Sequence, residues 1–439
     1  MINRRTFLKS SALALAAAPA ILRADSPDAS DQYTTALIGS GWWGATILTE
    51  VLALGRGKII ALCDPDPAQI DKCVAINSLG NLPLKRYTDY RELLDKEKPQ
   101  IVINATPDHW HAQITIDSLR AGAHVYLEKP ISHTILEGVA MVAAAAQANR
   151  VVQVDTHRRI SPHNISAREF LRSGKAGKIG AIRAFVNYGG GPEKPTPNSA
   201  PPSNMDWDLY CGPAPLRPFN HKIHPKGFRN FLDYANGEIG DWGVHWFDQV
   251  LWIMDRQAPT TVFSSGGRPV RGPAINDGQS QTTDAPDHQA ATFVFDGFTC
   301  TWEHREFGGN NAEKGENLGV YFFGTEGTFH LGWQSGWTFY PADSRKQTLH
   351  QDAQLHTPAA HNIRELYADF LDAIDKKRPP VCTIESGHRA TTCALLAMLS
   401  LKLGRSIQWD AKSQTIPNDP EAQSLLKRNY RGPWKYPTV

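Results

Sequence analysis

An α/β protein opened by a doubly wound parallel sheet is predicted by two observations. The first is Gly39-Ser40-Gly41-Trp42-Trp43-Gly44, a G-x-G-x-x-G run. It sits between a short β-type segment, residues 34–38, and a helical pattern from Ala45 to Leu54. The second is the alternation of apolar strand patterns with helical patterns across residues 34–155, which demands parallel βαβ units.

Each element follows in order. Lys58–Cys63 (KIIALC) is a second strand ending at Asp64. The first glycine of the motif permits the tight turn. The second lets backbone approach a pyrophosphate at a helix N-terminus, where orphan N–H groups and the helix dipole favour anions. Asp64 lies where an acid binds the adenosine ribose hydroxyls, and its charge would repel a 2′-phosphate, so NAD is expected rather than NADP. Asp89–Lys96 reads as helix, Ile101–Asn104 as a buried strand and Ala112–Ala121 as helix. His124–Leu127 is a strand, Leu136–Ala148 an Ala-rich helix, and Val151–Val154 the last strand of the unit. Ligands of such Rossmann-type sheets bind at the carboxyl ends of the strands. That directs attention to Thr106-Pro107-Asp108-His109-Trp110-His111, Glu128-Lys129-Pro130 and Asp155-Thr156-His157-Arg158-Arg159.

Composition sets the outer bounds. The 439 residues suggest two or three domains. With 41% hydrophobic and 21% charged residues the chain matches ordinary globular proteins, excluding disorder and coiled coil. A net charge of +2 gives no pull toward nucleic acid. The twelve tryptophans are core residues or stacking faces for sugars. Cys63, Cys73, Cys211, Cys300, Cys382 and Cys393 form no C-x-x-C pair, and buried thiols are expected.

Residues 1–24 have the form of a twin-arginine export signal. Arg4-Arg5 is followed by Phe7-Leu8-Lys9 and an apolar run from Ala12 to Leu22, with cleavage near Ala24. The run is too short for a permanent span, so no membrane anchor is expected. Cleavage removes four basic and no acidic residues, taking the net charge from +2 to −2.

Glu128-Lys129-Pro130, the Thr106–His111 loop and Asp241-Trp242-Gly243-Val244-His245 together resemble the glucose–fructose oxidoreductase / inositol dehydrogenase / MocA family. The likeness extends over nearly all of the mature chain. It implies a nucleotide-binding domain over 34–155 and a substrate and oligomerisation domain over 156–439. The latter would be α+β, with an open, mainly antiparallel sheet and last helices packing back on the first domain. It implies that Thr106, His109 and His111 lie beside the nicotinamide and that Glu128 and Lys129 reach the reacting centre. Asp241 and His245 would be the acid–base pair, and Arg159 a further cofactor contact. Trp42 and Trp43 belong to the cofactor loop. Relatives often carry glutamines before that arginine, where this chain has His157 and Arg158. Self-association through the open sheet is also implied.

The second domain agrees in part with local pattern. Ile179–Tyr188 and Ala290–Arg305 read as strands, the latter turning at Asp296-Gly297, and Val320–Phe323 as another. Residues 189–205 are Gly/Pro-rich loop. With the segment to Arg229 they form an insertion that is either a roof, offering Trp207, His224 and Arg229 to sugar hydroxyls, or a surface or subunit-contact loop. Ile363–Ile374 and His388–Leu403 read as helices.

The expected chemistry is hydride transfer at a secondary alcohol. His245 would take the hydroxyl proton. Asp241, one helical turn away, would orient or charge the ring. Lys129 would stabilise the developing alkoxide. A zinc site from His109, His111, His221, His224 and Asp108 is the chemical rival, and no metal is expected. Three functions follow: an NAD-dependent oxidoreductase of a sugar, glycoside or polyol; a redox-neutral NAD-dependent glycosidase or lyase; or a non-catalytic binding protein. Free NAD is not expected outside the cytoplasm, so an exported enzyme needs a tightly held cofactor.

The twin-arginine reading predicts that replacing Arg4 and Arg5 by lysine leaves the precursor in the cytoplasm. Fractionation and immunoblotting check this, and normal export of the double variant would refute it.

Overall fold

The computed structural model describes residues 32–355 and 361–438; residues 1–24, expected from the sequence to be an export signal, lie outside them. The first domain is a six-stranded, all-parallel sheet in the order β3-β2-β1-β4-β5-β6. Its strands are β1 (Tyr33–Ile38), β2 (Gly57–Cys63), β3 (Lys85–Tyr87), β4 (Ile101–Asn104), β5 (His124–Leu127) and β6 (Val152–Val154). All four residues of Ile-Val-Ile-Asn in β4 are buried, as expected where helices cover both faces. Helices α1 (Trp42–Leu54), α2 (Pro67–Ile76), α3 (Tyr90–Glu97), α4 (Asp108–Arg120) and α5 (Ile135–Ala148) provide that cover. Thr134 and Glu137 close a capping box at the start of α5.

Strand β3 is short and half-polar, so its pattern was illegible in the sequence. Helix α4 begins at Asp108, four residues before the apolar run that announced it, because Pro107 stands at its N-cap and has no N–H to leave unpaired. That shift turns successive residues of the Thr106–His111 segment in different directions.

After β6 the chain passes through a short 3₁₀ turn, His157–Ile160, into α6 (Pro162–Arg172) and β7 (Ile179–Asn187). The second domain is built on a nine-stranded sheet in the order β16-β15-β14-β13-β7-β12-β11-β9-β17. Its other main strands are β9 (Thr261–Gly267), β11 (His288–Phe295), β12 (Phe298–Arg305), β13 (Leu318–Gly324), β14 (Gly327–Gly332) and β15 (Trp337–Pro341). Short strands β16 (Leu349–Gln351) and β17 (Ile407–Gln408) close its edges. Pairing is antiparallel throughout except between β7 and β12, so the sheet is mainly antiparallel as expected. One face packs on α8 (Val244–Met254) and α10 (Ile384–Leu403) in a core that includes Trp246, Phe247, Phe293 and Trp302. The other face carries the exposed Phe263, Val294 and Phe323.

Of the last helices, α9 (His361–Asp375) returns to the first domain, placing Leu366, Tyr367 and Phe370 in its core. Helix α10 lies chiefly under the second sheet, through Ala390, Cys393 and Leu396. All six cysteines are buried free thiols.

The insertion is a small folded unit. Strand β8 (Thr196–Pro197) pairs with β10 (Ser280–Gln281), and α7 (Trp207–Cys211) follows. Met205, Trp207, Tyr210, Phe219, Phe231 and Tyr234 belong to its own apolar core. It docks on the first domain through Asp206 N–H to Pro65 O (2.9 Å) and Trp110 Nε1–H to Tyr210 O (2.9 Å). The C-terminal tail ties both together: Arg428 bonds Glu137 at 3.0 Å and Arg431 pairs with Asp208 at 2.8 Å.

Candidate active site

The carboxyl ends of the parallel strands open into a cleft. The segments after β1, β2, β4 and β5 contribute Gly39–Gly44, Asp64, Thr106–Asp108 and Glu128–Lys129 to its walls. The three motif glycines do different work. A Cβ on Gly39 would meet Ala105 O at 2.5 Å, and φ there is +91°. A Cβ on Gly44 would meet Gly39 O at 2.0 Å. Those two permit the turn and the packing of α1. At Gly41 an added Cβ meets nothing within 4 Å, so this glycine keeps the cleft open at the N-terminus of α1. That is the cradle a pyrophosphate needs.

Asp64 is buried at the end of β2 and accepts the N–H groups of Ser40 and Asp66, both at 2.9 Å. Burial pushes its carboxyl up to about 7 against those two hydrogen bonds. Glu128 accepts Trp43 Nε1–H at 2.5 Å, which fixes Trp43 against the end of β5. Burial, and then neighbouring Asp155, raises the Glu128 carboxyl. Trp42 is largely exposed at the cleft rim, with Lys226 Nζ 5.0 Å from its ring centroid. The cleft residues thus fit a dinucleotide: Gly41 for the pyrophosphate and Asp64 for the ribose diol.

At the other end of the cleft, three segments meet on one carboxylate. Lys129 Nζ binds Asp241 Oδ1 and also donates to the Asp241 carbonyl at 3.3 Å. Arg229 Nε approaches Asp241 Oδ2 at 3.3 Å. Burial opposes ionisation of Asp241, but the Lys129 and Arg229 charges bring its carboxyl down to about 2. Asp108 shares this corner. Burial raises it to about 7, opposed by Arg229 and Lys129 and assisted by Asp241. His245 is 6% exposed, and its Nδ1 has no hydrogen-bond partner among the described residues. Burial first, then the Lys129 charge, holds the imidazole well below its usual range, so it is neutral.

The expected Asp241–His245 coupling takes a different form. Ile239–Gly243 is a π-helical turn that runs into α8. Asp241 is committed to Lys129 and Arg229, while His245 sits among the rings of His157, Trp242 and Trp333 at 5.3, 5.8 and 5.2 Å.

Several expected contacts are placed elsewhere. His109 is fully buried with Nε2 on Tyr210 O (2.9 Å), holding the insertion instead of lining the cleft. His111 bridges Pro130 O (2.6 Å) and Thr106 O (2.7 Å), fixing two cleft loops from behind. With their rings committed to carbonyls on separate segments, the zinc arrangement loses its geometric basis. Arg159 is bound by Asp248 at 2.8 and 3.0 Å on the far side of the 3₁₀ turn, outside the cleft. Trp207 is a core residue of the insertion, stacked on Tyr210 at 4.7 Å with Nε1–H on Arg217 O. It is not offered to a sugar. His224 does line the cleft, but at the Asp64 end, with Nε2 2.8 Å from Asp66 Oδ2. Arg229 alone of those three stands beside Lys129. Tyr210 and Phe228 also line the cleft, so the insertion is a roof over the nucleotide end as well. Gln69 and Phe228 escaped sequence reasoning, while Asp108 was read only as part of the loop after β4 and as a zinc candidate.

Two predictions follow from this geometry. Asp64→Ala should relax the choice of NAD over NADP, read by identifying the nucleotide released from purified protein; NADP in the wild type would refute the assignment. Asp241 has an ordinary pKa of about 3.9 when unfolded and about 2 when folded. Its ion pairs therefore stabilise the fold above the unfolded value, and that contribution is lost as pH falls through the folded one. Urea midpoints should drop between pH ~4 and ~2 less steeply in Asp241→Asn than in the wild type.

Comparison with known proteins identifies the architecture. A family model described as "Oxidoreductase family, NAD-binding Rossmann fold" matches residues 33–156. Its companion, "Oxidoreductase family, C-terminal alpha/beta domain", matches 185–268 and 344–436. A glycosyl hydrolase family 109 protein of Shewanella pealeana is 25% identical over 203 residues, 40% of this chain and 44% of that protein. The levoglucosan dehydrogenase of Pseudarthrobacter phenanthrenivorans is 32% identical over 132 residues, 30% of this chain and 32% of that protein. The chain thus matches less than half the length of these two relatives. The solved structure of a levoglucosan dehydrogenase in complex with NADH and levoglucosan superposes with a TM-score of 0.64 at 19% identity, covering 86% of this chain and 99% of that one. The two family models and the fold they describe place this chain in the glucose–fructose oxidoreductase / inositol dehydrogenase / MocA family of NAD-binding oxidoreductases.

Proposed function

We propose that the protein transfers hydride to or from a secondary hydroxyl of a sugar, glycoside or polyol, using an NAD that stays bound. The observation that carries this reading is the junction of Lys129, Asp241 and Arg229 at the inner end of the nucleotide cleft, with neutral His245 close enough to feel the Lys129 charge. Bound NAD supplies the hydride acceptor. The chain supplies the rest. His245, uncharged and without a partner on Nδ1, accepts the hydroxyl proton. Lys129 donates to the oxygen as negative charge grows on it. Asp241 keeps Lys129 placed, so it acts on the reaction through that lysine. A levoglucosan dehydrogenase among the relatives and a sugar ligand in a structural neighbour support the substrate class.

Retention of the cofactor is supported by the roof. His224 latches to Asp66 at one end and Arg229 to Asp241 at the other, with Phe228 between them over the cleft. Such retention suits a protein exported after folding, as the twin-arginine motif suggests. It also favours the second reading, a redox-neutral glycosidase that returns the hydride to the same sugar. The family 109 glycosyl hydrolase relatives support that reading. Exposed Phe263, Val294 and Phe323 on one face of the large sheet support self-association there.

His245→Ala should lower turnover by about 10²–10⁴-fold while leaving nucleotide content unchanged, because Gly41 and Asp64 are untouched. Sugars and glycosides would be screened with no added NAD. Deuterium at the oxidised carbon then separates the two catalytic readings: an oxidoreductase passes it to a second substrate, whereas a glycosidase returns it to the first. Unaltered turnover in His245→Ala would remove the proton acceptor from this scheme.

A further inference from the structure

Arg158 is the anomaly of the second domain. It is 2% exposed, and Nε, Nη1 and Nη2 are all buried with no hydrogen-bond partner among the described residues. A guanidinium carries five N–H donors and keeps its charge in proteins, so burying all three nitrogens without a partner from the chain is costly. Its chain neighbour shows the usual solution: Arg159 is clasped by both oxygens of Asp248. Arg158 has only the face of Trp333, whose ring centroid is 3.5 Å from its Cζ. A cation over a ring is favourable, but it satisfies none of the in-plane N–H groups.

The nearest carboxylate does not fill the gap. Glu316 acts on Arg158 through space, yet makes no hydrogen bond to it among the described residues. Its oxygens take the N–H groups of Trp333, Gln334 and Ser335, and the Ser335 hydroxyl, in the turn between β14 and β15. Glu316 therefore holds the Trp333 turn in place.

The location gives the unpaired cation a meaning. The Trp333 ring that covers Arg158 also lies 5.2 Å from the ring of His245 and 4.9 Å from that of Trp242. Uncommitted polar atoms gather in the same region: His157 Nε2 and His245 Nδ1 are both buried without partners. Asn187, at the end of β7, leaves both side-chain atoms unpaired too. It lies at the same end of the sheet as Trp333, through the register Val186–Leu318 and Gly319–Gly332. Burial pushes Arg158 down to about 9, so the group remains charged at neutral pH, whereas burial holds His157 neutral at about 3. Lys129 and Arg229, the other cations of the site, are already shared by Asp241.

We infer that Arg158 is the recognition residue for a carboxylate on the substrate, so that the sugar reaching His245 is a uronic acid or uronide. The planar fork of a guanidinium matches the two oxygens of a carboxylate in a bidentate pair. The aromatic faces of Trp333 and Trp242 would bear on the apolar side of the sugar ring, and Asn187 and His157 on its hydroxyls. This assignment rests on the proposed sugar chemistry at His245, but its test does not need turnover.

The test is calorimetric titration of the purified, nucleotide-loaded protein. D-glucuronate and D-galacturonate are compared with their neutral parents, D-glucose and D-galactose, and with glucose 6-phosphate. At least one uronate should bind about 10–100-fold more tightly than its neutral parent. Arg158→Gln should erase that preference while leaving neutral-sugar affinity unchanged, and Arg158→Lys should restore part of it. If sugars turn over, the loss in Arg158→Gln should fall on KM. Equal binding of both acids and their parents by the wild type, tighter binding of glucose 6-phosphate than of either uronate, or an intact preference in Arg158→Gln would each overturn the inference. Should Arg158→Gln fail to fold, the wild-type ratios decide alone. Selective uronate binding without oxidation of any sugar would instead sink the hydride-transfer reading and leave this one standing.

Discussion

The carboxylate of Asp241 is the point on which three otherwise separate parts of the chain converge. Lys129 comes from the end of the central parallel sheet, Asp241 from the π turn that opens α8, and Arg229 from the insertion. The Lys129 and Asp241 side chains are only 10% and 20% exposed, so the pair lies in a poorly solvated place. Removing one partner of such a buried pair typically costs about 3–5 kcal/mol, because the charge left behind is neither solvated nor neutralised. One acid serving two cations therefore fixes the orientation of the two domains and the roof at the spot where the chemistry is proposed. The π turn that carries Asp241 runs straight into α8, which carries His245, so the acid bound to the two cations and the imidazole stand on one continuous element.

Burial then divides the titratable groups of the cleft into two kinds. Asp241 has cations against it and stays ionised to about pH 2. Asp108, in the same corner and equally deprived of water, is raised to about 7 because desolvation outweighs the more distant charges. His245 is driven the other way by the same desolvation and remains neutral. Desolvation and local charge thus push neighbouring titratable groups in opposite directions, the pattern by which one site holds groups in different protonation states. Hydrogen-bonded residues around it, such as His111 between Pro130 and Thr106, keep the loops from relaxing and rehydrating the corner.

How much of this was legible depends on whether the signal was local. The parallel sheet, the glycine turn and Asp64 were legible because strand periodicity and G-x-G-x-x-G are short-range patterns with a fixed structural meaning. Lys129, Asp241 and His245 were legible through family motifs, and the structure brings Lys129 and Asp241 into contact. The residues that moved out of the cleft share a physical cause. His109 and His111 depend on where α4 starts, and Pro107 set that start four residues before the apolar run. Trp207 depends on the insertion having a core of its own, which no periodicity in a Gly/Pro-rich segment reveals. Arg159 and Arg158 are adjacent, and sequence favoured the first. Only the position of Asp248, 89 residues away, shows that Arg159 is already neutralised.

That last pair shows how an unpaired charge becomes informative. Both arginines leave the 3₁₀ turn after β6, and both are removed from water. For Arg159 the sequence supplies a carboxylate on α8, so its charge is a structural matter settled within the chain. For Arg158 the described chain supplies an aromatic face and no acid in hydrogen-bond contact, Glu316 acting only through space. A fold that elsewhere pairs its buried cations, as with Arg428 on Glu137 and Arg217 on Asp233, has left Arg158 unpaired on the ring of Trp333, which also packs against His245. The missing counter-charge then belongs to something that enters from outside. Because a guanidinium does not release its proton at neutral pH, that partner must bring the negative charge itself.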